Sequence, residues 1–214
     1  MEKEQHIVKI LGTEKVIHNV KCFTVEKPMG YQYIPGQATD VSINQPGLED
    51  DLHPFTFTSL TKDDNLEFTI KIYQGMTKKL DSLNVGDEII LHEVFGAINY
   101  AGPGVFIAGG AGVTPFIAIL RQLQQEAGIK QNFLLFANHS RKDIILEEEF
   151  TQMLGDHFVN LISAEGKRID EALLKQYVQN SRKYYICGPD GFTAEMKDIL
   201  KGLGVAEDDI VTEQ

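Results

Sequence analysis

Around residues 99–103 the hydrophobic rhythm of this chain changes, and that change limits its possible folds more than any single motif does. Up to about Ala97, short apolar-rich runs are separated by turn residues at Gly12, 28–30, Pro35-Gly36, Pro46-Gly47 and Gly86-Asp87. The clearest run is 66–73, where Leu66, Phe68, Ile70 and Ile72 alternate with more polar neighbours at the two-residue period of a half-buried strand. Residues 16–25, 38–43, 55–59 and 88–92 read as further strands. Strands this short and this closely spaced predict an antiparallel, six-stranded β-barrel. After Gly102, strand and helix alternate. Residues 105–108, 132–137, 157–163 and 183–187 read as buried strands, and Phe192, Met196, Ile199, Leu200 and Leu203 form one stripe of a final helix. Such alternation predicts an α/β domain with a doubly wound parallel sheet, whose ligand crevice lies at the carboxyl ends of the strands. The expected domains are therefore residues 1–99 and 100–214, each long enough for its own core.

Composition narrows the class. Of 214 residues 43% are apolar and 24% charged, which excludes collagen and low-complexity disorder. Asp and Glu number 31 against 20 Lys and Arg, a formal charge of −11, so a nucleic-acid partner is not expected. Cys22 and Cys187 are too few for a four-thiolate cluster or a structural zinc site. The six histidines show no His-Glu-x-x-His pattern, so no metal site is expected. The uncharged run 104–120 falls short of the roughly 20 residues a membrane helix needs and is broken by glycines and Pro115. With no apolar signal core at its start, the chain is expected in the cytoplasm.

Within the second half, Gly109-Gly110-Ala111-Gly112-Val113-Thr114-Pro115 places a glycine turn between a buried strand and a helix. Thr114 is suited to cap that helix and Pro115 to its first turn. Amides and the positive end of the helix dipole would then face the crevice and suit a pyrophosphate, with Gly110 and Gly112 allowing close approach. The same residues also describe a plain tight strand-to-helix turn. Cys187-Gly188-Pro189 ends a later strand at the equivalent place, either as a buried thiol before a turn or as a second wall of the crevice. In the first half, His53-Pro54-Phe55-Thr56 sets a cation, a ring and a hydroxyl along one strand, or is simply a barrel strand with a satisfied histidine. Gly75-Met76-Thr77 leads into a short helix and offers another phosphate seat. Two such seats on two domains would let two nucleotides meet face to face.

Taken in order, Pro35-Gly36-Gln37, His53-Pro54-Phe55-Thr56, Gly75-Met76-Thr77, Val85-Gly86-Asp87, the 110–115 loop and Cys187-Gly188-Pro189 resemble the ferredoxin–NADP reductase superfamily over nearly the whole chain. The resemblance implies FAD, rather than FMN, in the barrel and NAD(P)H in the sheet, with the His-Pro-Phe-Thr form of the flavin strand seen in NADPH oxidases and ferric reductases. It implies Phe55 against the isoalloxazine, Thr56 near flavin N5 and His53 in place of the family's arginine on the pyrophosphate, where an imidazole lacks the fixed two-pronged charge. Pro54, Lys71, Ile72 and Tyr73 would border the flavin, with Gly75, Met76 and Thr77 at its phosphates. Gly110, Gly112, Thr114 and Pro115 would hold the nicotinamide nucleotide, together with Cys187, Gly188 and Pro189. Thr56, Cys187 and Glu213 are the expected catalytic set.

The chain departs from the family in two places. Its last residues, Val211-Thr212-Glu213-Gln214, carry no aromatic ring to cover a flavin, and Ser163-Ala164-Glu165, at the adenosine 2′ position, has no central arginine, which favours NADH although Arg141, Lys167 and Arg168 are near. The implied activity is hydride transfer from NAD(P)H to flavin N5, then electron delivery to a small carrier such as flavodoxin or ferredoxin, by a monomer. The alternatives are a reductase of free flavin or ferric ion and a non-autonomous electron-transfer subunit. Lys71, Lys78 and Lys79 read either as a basic rim for an acidic carrier or as a solvated helix face.

Overall fold

The computed structural model describes residues 5–96, 98–179 and 182–213. Residues 1–4, Ala97 and Gln214, on which the readings of the start, the end of the β half and the terminus partly fell, lie outside the described residues.

Six strands build the first sheet: β1 (His6–Ile17), β2 (Val20–Glu26), β3 (Ala38–Ile43), β4 (His53–Thr56), β5 (Asn65–Lys71) and β6 (Glu88–Phe95), all pairs antiparallel, in the order β4-β3-β6-β1-β2-β5. Helix α1 (Met76–Asp81) precedes β6. The sheet closes because the chain beyond β4 reaches the far edge, where the Thr58 amide donates to the Glu67 carbonyl at 2.8 Å. Inside lie Val8, Ile10, Phe23, Ile43, Phe57, Leu66, Phe68 and Leu91. Burying such a side chain stabilises the fold by roughly 1.5–3 kcal/mol.

The second sheet is parallel, in the order β11-β10-β7-β8-β9. Its strands β7 (Gly104–Gly109), β8 (Phe133–Asn138), β9 (Phe158–Ile162), β10 (Lys183–Cys187) and β11 (Ile210–Thr212) are joined through α2 (Thr114–Gln125), α3 (Glu147–Leu154), α4 (Glu171–Leu174) and α5 (Asp190–Gly202). Every residue of β7 is buried, as befits the central strand of a sheet covered on both faces. From β7 the chain moves outward to β8 and β9, then returns to β10 on the other side. The strand order therefore reverses between β7 and β10, and the crevice of such a sheet opens at that point. Phe192, Ile199 and Leu203 pack with buried Met196 and Leu200 against this sheet, so the predicted stripe of α5 is present.

Several local readings need correction. Gly12 is not a turn; it sits within β1, where the register with β2 shifts between Ile10 and Gly12. Residues 16–25 are not one strand, because the chain reverses at His18-Asn19 between β1 and β2. The strand expected at 55–59 is His53–Thr56, since beyond it the backbone bonds to β5 instead. Strand β11 was not foreseen; its three residues are ordered by pairing with β10. Among the described residues no helix is long and apolar enough to cross a membrane.

Candidate functional site

The carboxyl ends of β7 and β10 face the open rim of the barrel, and two cavities lie along this seam. The first, about 410 Å³, is lined by Pro54, Phe55 and Thr56 of β4, by Lys71, Tyr73 and Thr77, and from the other sheet by Ala111, Thr114 and Glu213. A second of about 540 Å³ is lined by Gly109, Gly110, Ala111, Asn138, Pro189 and Phe192, and again by Lys71 and Tyr73. Both volumes suit a bound cofactor. Lys71, Tyr73 and Ala111 line both, so the cavities adjoin. The Lys71 ammonium stands 5.6 Å from the centre of the Tyr73 ring.

The barrel wall is built from a short edge strand and a turn. Phe55 leans on the barrel core while lining the cavity, and Pro54 beside it is exposed. Thr77, in the first turn of α1, accepts a hydrogen bond from the Tyr73 amide at 2.8 Å and so holds the turn that carries Tyr73. His53 is turned to Asp51, 3.1 Å away, and Asp51 also receives Lys79 at 3.1 Å. Hydrogen bonds from Lys79 and His53 hold the Asp51 carboxyl below the usual carboxylate range. Met76 is buried in the barrel core and Ile72 packs against it, and neither is among the residues that line the two cavities.

The sheet wall centres on a glycine turn that presents its backbone. After β7, residues 110–113 form a 3-10 turn that runs directly into α2. A Cβ on Gly112 would run into the Cys187 carbonyl, so that glycine lets two strand ends touch each other rather than a ligand. Gly188 is likewise pressed against Gly109 and Phe192. Thr114 does not cap α2; it is the helix's first residue, and its hydroxyl donates to the Ala111 carbonyl at 3.0 Å, stiffening the loop. Pro115 is buried in the first turn, where its missing amide hydrogen is harmless.

Cys187, buried at the end of β10, donates its S–H to Glu213 at 3.2 Å. Burial, then the Glu213 charge, raises the thiol's pKa, so it stays neutral. Glu213 reaches this place because β11 runs parallel to β10. The pairing was not legible in sequence, although both residues were expected at the site. Asn138 was missed as well: it is 6% exposed, lines the second cavity, and neither its side-chain oxygen nor its nitrogen has a hydrogen-bond partner among the described residues. Phe192 was read only as part of a helical stripe, yet it covers Gly109 and Gly188 and lines the same cavity. At the outer end Arg141 forks onto Glu165 at 2.7 and 3.1 Å, with Lys167 at 3.8 Å.

The donor set fits two nucleotide cofactors. The barrel cavity offers a ring, hydroxyls and one ammonium, the sheet cavity offers a glycine turn at a strand end, and Lys71 and Tyr73 stand where the two adjoin.

Known proteins agree. An FAD-binding domain family matches residues 6–110, and the oxidoreductase NAD-binding domain family matches residues 106–198. The reductase component of propane 2-monooxygenase from Rhodococcus jostii is 26% identical over 95% of this chain and 61% of its own. NADH-cytochrome b5 reductase 1 of Bos taurus is 28% identical over 72% of this chain and 62% of its own. The chain thus spans about three fifths of the length of these curated relatives. A ferredoxin NADP+ reductase from Neisseria gonorrhoeae, solved with FAD and NADP bound, shares the fold with a TM-score of 0.84 at 21% identity, each chain covered to 98%. With FAD-binding and NAD-binding matches meeting at the glycine loop, the chain carries an FAD-binding domain followed by an oxidoreductase NAD-binding domain, on the fold of a ferredoxin NADP+ reductase.

Proposed function

We propose that this chain is a flavin-dependent NAD(P)H oxidoreductase, with residues 1–99 holding FAD and residues 100–214 holding the nicotinamide nucleotide. The observation that carries the reading is the adjoining pair of cavities, which share Lys71, Tyr73 and Ala111. Bound FAD would supply the redox chemistry, accepting a hydride at N5 and releasing electrons to a separate acceptor. The protein's part is orientation and charge.

Thr56 presents a hydroxyl to the ring system, and Phe55 and Tyr73 wall it. Lys71 places a positive charge between the two seats. Gly110, Ala111 and Thr114 present the loop on which the nicotinamide nucleotide rests, with Pro189 and Phe192 on its other side. The Cys187 thiol, kept neutral by burial, holds Glu213 at the mouth of the flavin cavity and is not a nucleophile. Because Arg141 is already paired with Glu165, a 2′-phosphate would meet a partly neutralised guanidinium and the Glu165 carboxylate beside it, which supports NADH as donor. The acceptor is a separate electron carrier; the named relatives are a cytochrome b5 reductase and a monooxygenase's reductase component. Flavodoxin and ferredoxin fit the same role.

The test is an absorbance spectrum of the purified protein, followed by anaerobic addition of NADH and then NADPH. Flavin bands that bleach faster with NADH are the expected result. His53 is engaged by Asp51, which supports a second reading, a reductase of free flavin: that protein is colourless yet oxidises NADH once flavin is added. A protein inert in both assays overturns both readings. Thr56→Ala should slow bleaching by roughly a hundred- to thousandfold, the scale of one lost hydrogen-bond donor at a reacting centre, while flavin affinity changes little. An unchanged rapid-phase rate would remove Thr56 from the catalytic set.

A further inference from the structure

Arg121 lies two turns into α2 from Thr114, at the seam between the sheets, and its side chain is 23% exposed. One guanidinium nitrogen donates both to the Thr58 carbonyl at 2.7 Å and to Glu67 Oε1 at 2.6 Å. Its Nε and other terminal nitrogen fork onto Glu149 at 2.6 and 2.9 Å. One side chain therefore ties α2 to α3 within the parallel-sheet half, and to β5 and the segment beyond β4 within the barrel.

The barrel anchors are themselves braced. The Thr58 hydroxyl donates to Glu67 Oε1 at 2.8 Å and lies 3.2 Å from the Thr69 hydroxyl, and Thr69 lines the first cavity. Cys22 hydrogen-bonds Glu67 from β2; burial, then the Glu67 charge, pushes its thiol up to about 12, so it remains a donor. Burial alone would raise the Glu67 pKa, but Arg121 holds it below the usual carboxylate range. Thr58 is two residues past Thr56, and Arg121 shares a helix with Thr114, so this network joins one wall of the flavin cavity to the other. A planar fork with fixed directions suits such a joint, whereas a lysine presents a single point charge.

We propose that Arg121 is a positioning residue that clamps the barrel to the parallel sheet and thereby sets the spacing of the two cofactor seats. The proposal rests on the reading of those seats given above. Hydride transfer depends steeply on the separation of the reacting atoms, so a loosened seam slows it even when both ligands still bind.

The geometry separates a clamp from mere stabilisation. Glu149 anchors Arg121 inside its own half, whereas Glu67 anchors it across the seam. In flavin-loaded protein, Arg121→Met and Glu67→Gln should slow NADH-driven bleaching per folded flavin site at least tenfold with NADH affinity nearly unchanged. Glu149→Gln should lower the melting temperature but keep the bleaching rate within about twofold. Arg121→Lys should recover part of the melting temperature without recovering the rate. A second readout needs no ligand: calorimetry of the apoprotein should show one cooperative transition for the native sequence and two for Arg121→Met. Equal bleaching rates in the native protein, Arg121→Met and Glu67→Gln overturn the clamp, as does a single calorimetric transition in Arg121→Met. If the native protein itself fails to bleach, the functional reading falls, and the calorimetric result alone decides for or against the clamp.

Discussion

Two turns in this molecule look alike in sequence, each a glycine leading into a helix at the cofactor seam, and they are held in opposite ways. Gly75 stands at φ 76° and ψ −135°, with nothing among the described residues within 4 Å of where a Cβ would be, before the six-residue helix α1. That glycine is required by its own backbone. Gly112 lies in a turn packed so tightly on the end of β10 that a Cβ would strike the Cys187 carbonyl. It is required by its neighbour. The difference teaches that the sheet wall of the site is preset by contact between two strand ends, while the barrel wall depends on a local bend and a threonine hydroxyl.

The largest expected effect is therefore at Gly112. Gly112→Ala should cost about 3 kcal/mol by overpacking and abolish NADH-driven bleaching, measured by denaturant unfolding and stopped-flow absorbance. Native-like stability in this variant would show that the two strand ends are free to part. Gly75→Ala should cost less, about 2 kcal/mol from backbone strain in a region open almost only to glycine, and should weaken flavin retention more than NADH binding. An equal loss at both sites would erase the distinction between the turns.

A smaller effect concerns pH. Glu67 has a lowered pKa in the folded protein, so it binds its proton more weakly there than in the unfolded chain. Its contribution to stability is present above the ordinary glutamate pKa and is lost as pH falls through the lowered value. Acid unfolding curves should be shallower for Glu67→Gln; superimposable curves would show that the carboxylate contributes nothing to the acid limb.

Smallest for stability are the lysines of α1. Lys78 pairs with Asp81 at 2.9 Å and Lys79 with Asp51 at 3.1 Å, all at the surface, so the basic rim is already offset by these carboxylates. Lys78→Glu with Lys79→Glu should barely move the melting temperature, yet slow reduction of an acidic carrier such as a ferredoxin severalfold at low salt. A rate independent of both charge and salt would place the carrier's docking face elsewhere.

Much of the architecture was legible in local patterns. The alternation of Leu66, Phe68 and Ile70 marked β5, and the uninterrupted apolar run before Gly110 marked the central parallel strand. The first strand was harder to read. In β1, Val8 and Ile10 are buried, but the apolar Ile7 and Leu11 are 59% and 43% exposed, which blurs the period, and Gly12 imitates a turn. The reversal at His18-Asn19 lacks the glycine or proline that announced the other turns. Ile210–Thr212 is too short to carry a period at all.

By itself the sequence determined the two-sheet plan, the glycine turn after β7 and the order of the segments that line the two cavities, because hydrophobic period and turn chemistry act between neighbours along the chain. Only the tertiary structure decided which polar and charged groups meet. It gave Arg121 to Glu67 and Glu149, Cys187 to Glu213 and Arg141 to Glu165, and left His53 with its near neighbour Asp51. Apart from His53, these pairs join residues far apart in the chain, and their strength depends on a burial and geometry that no local pattern records.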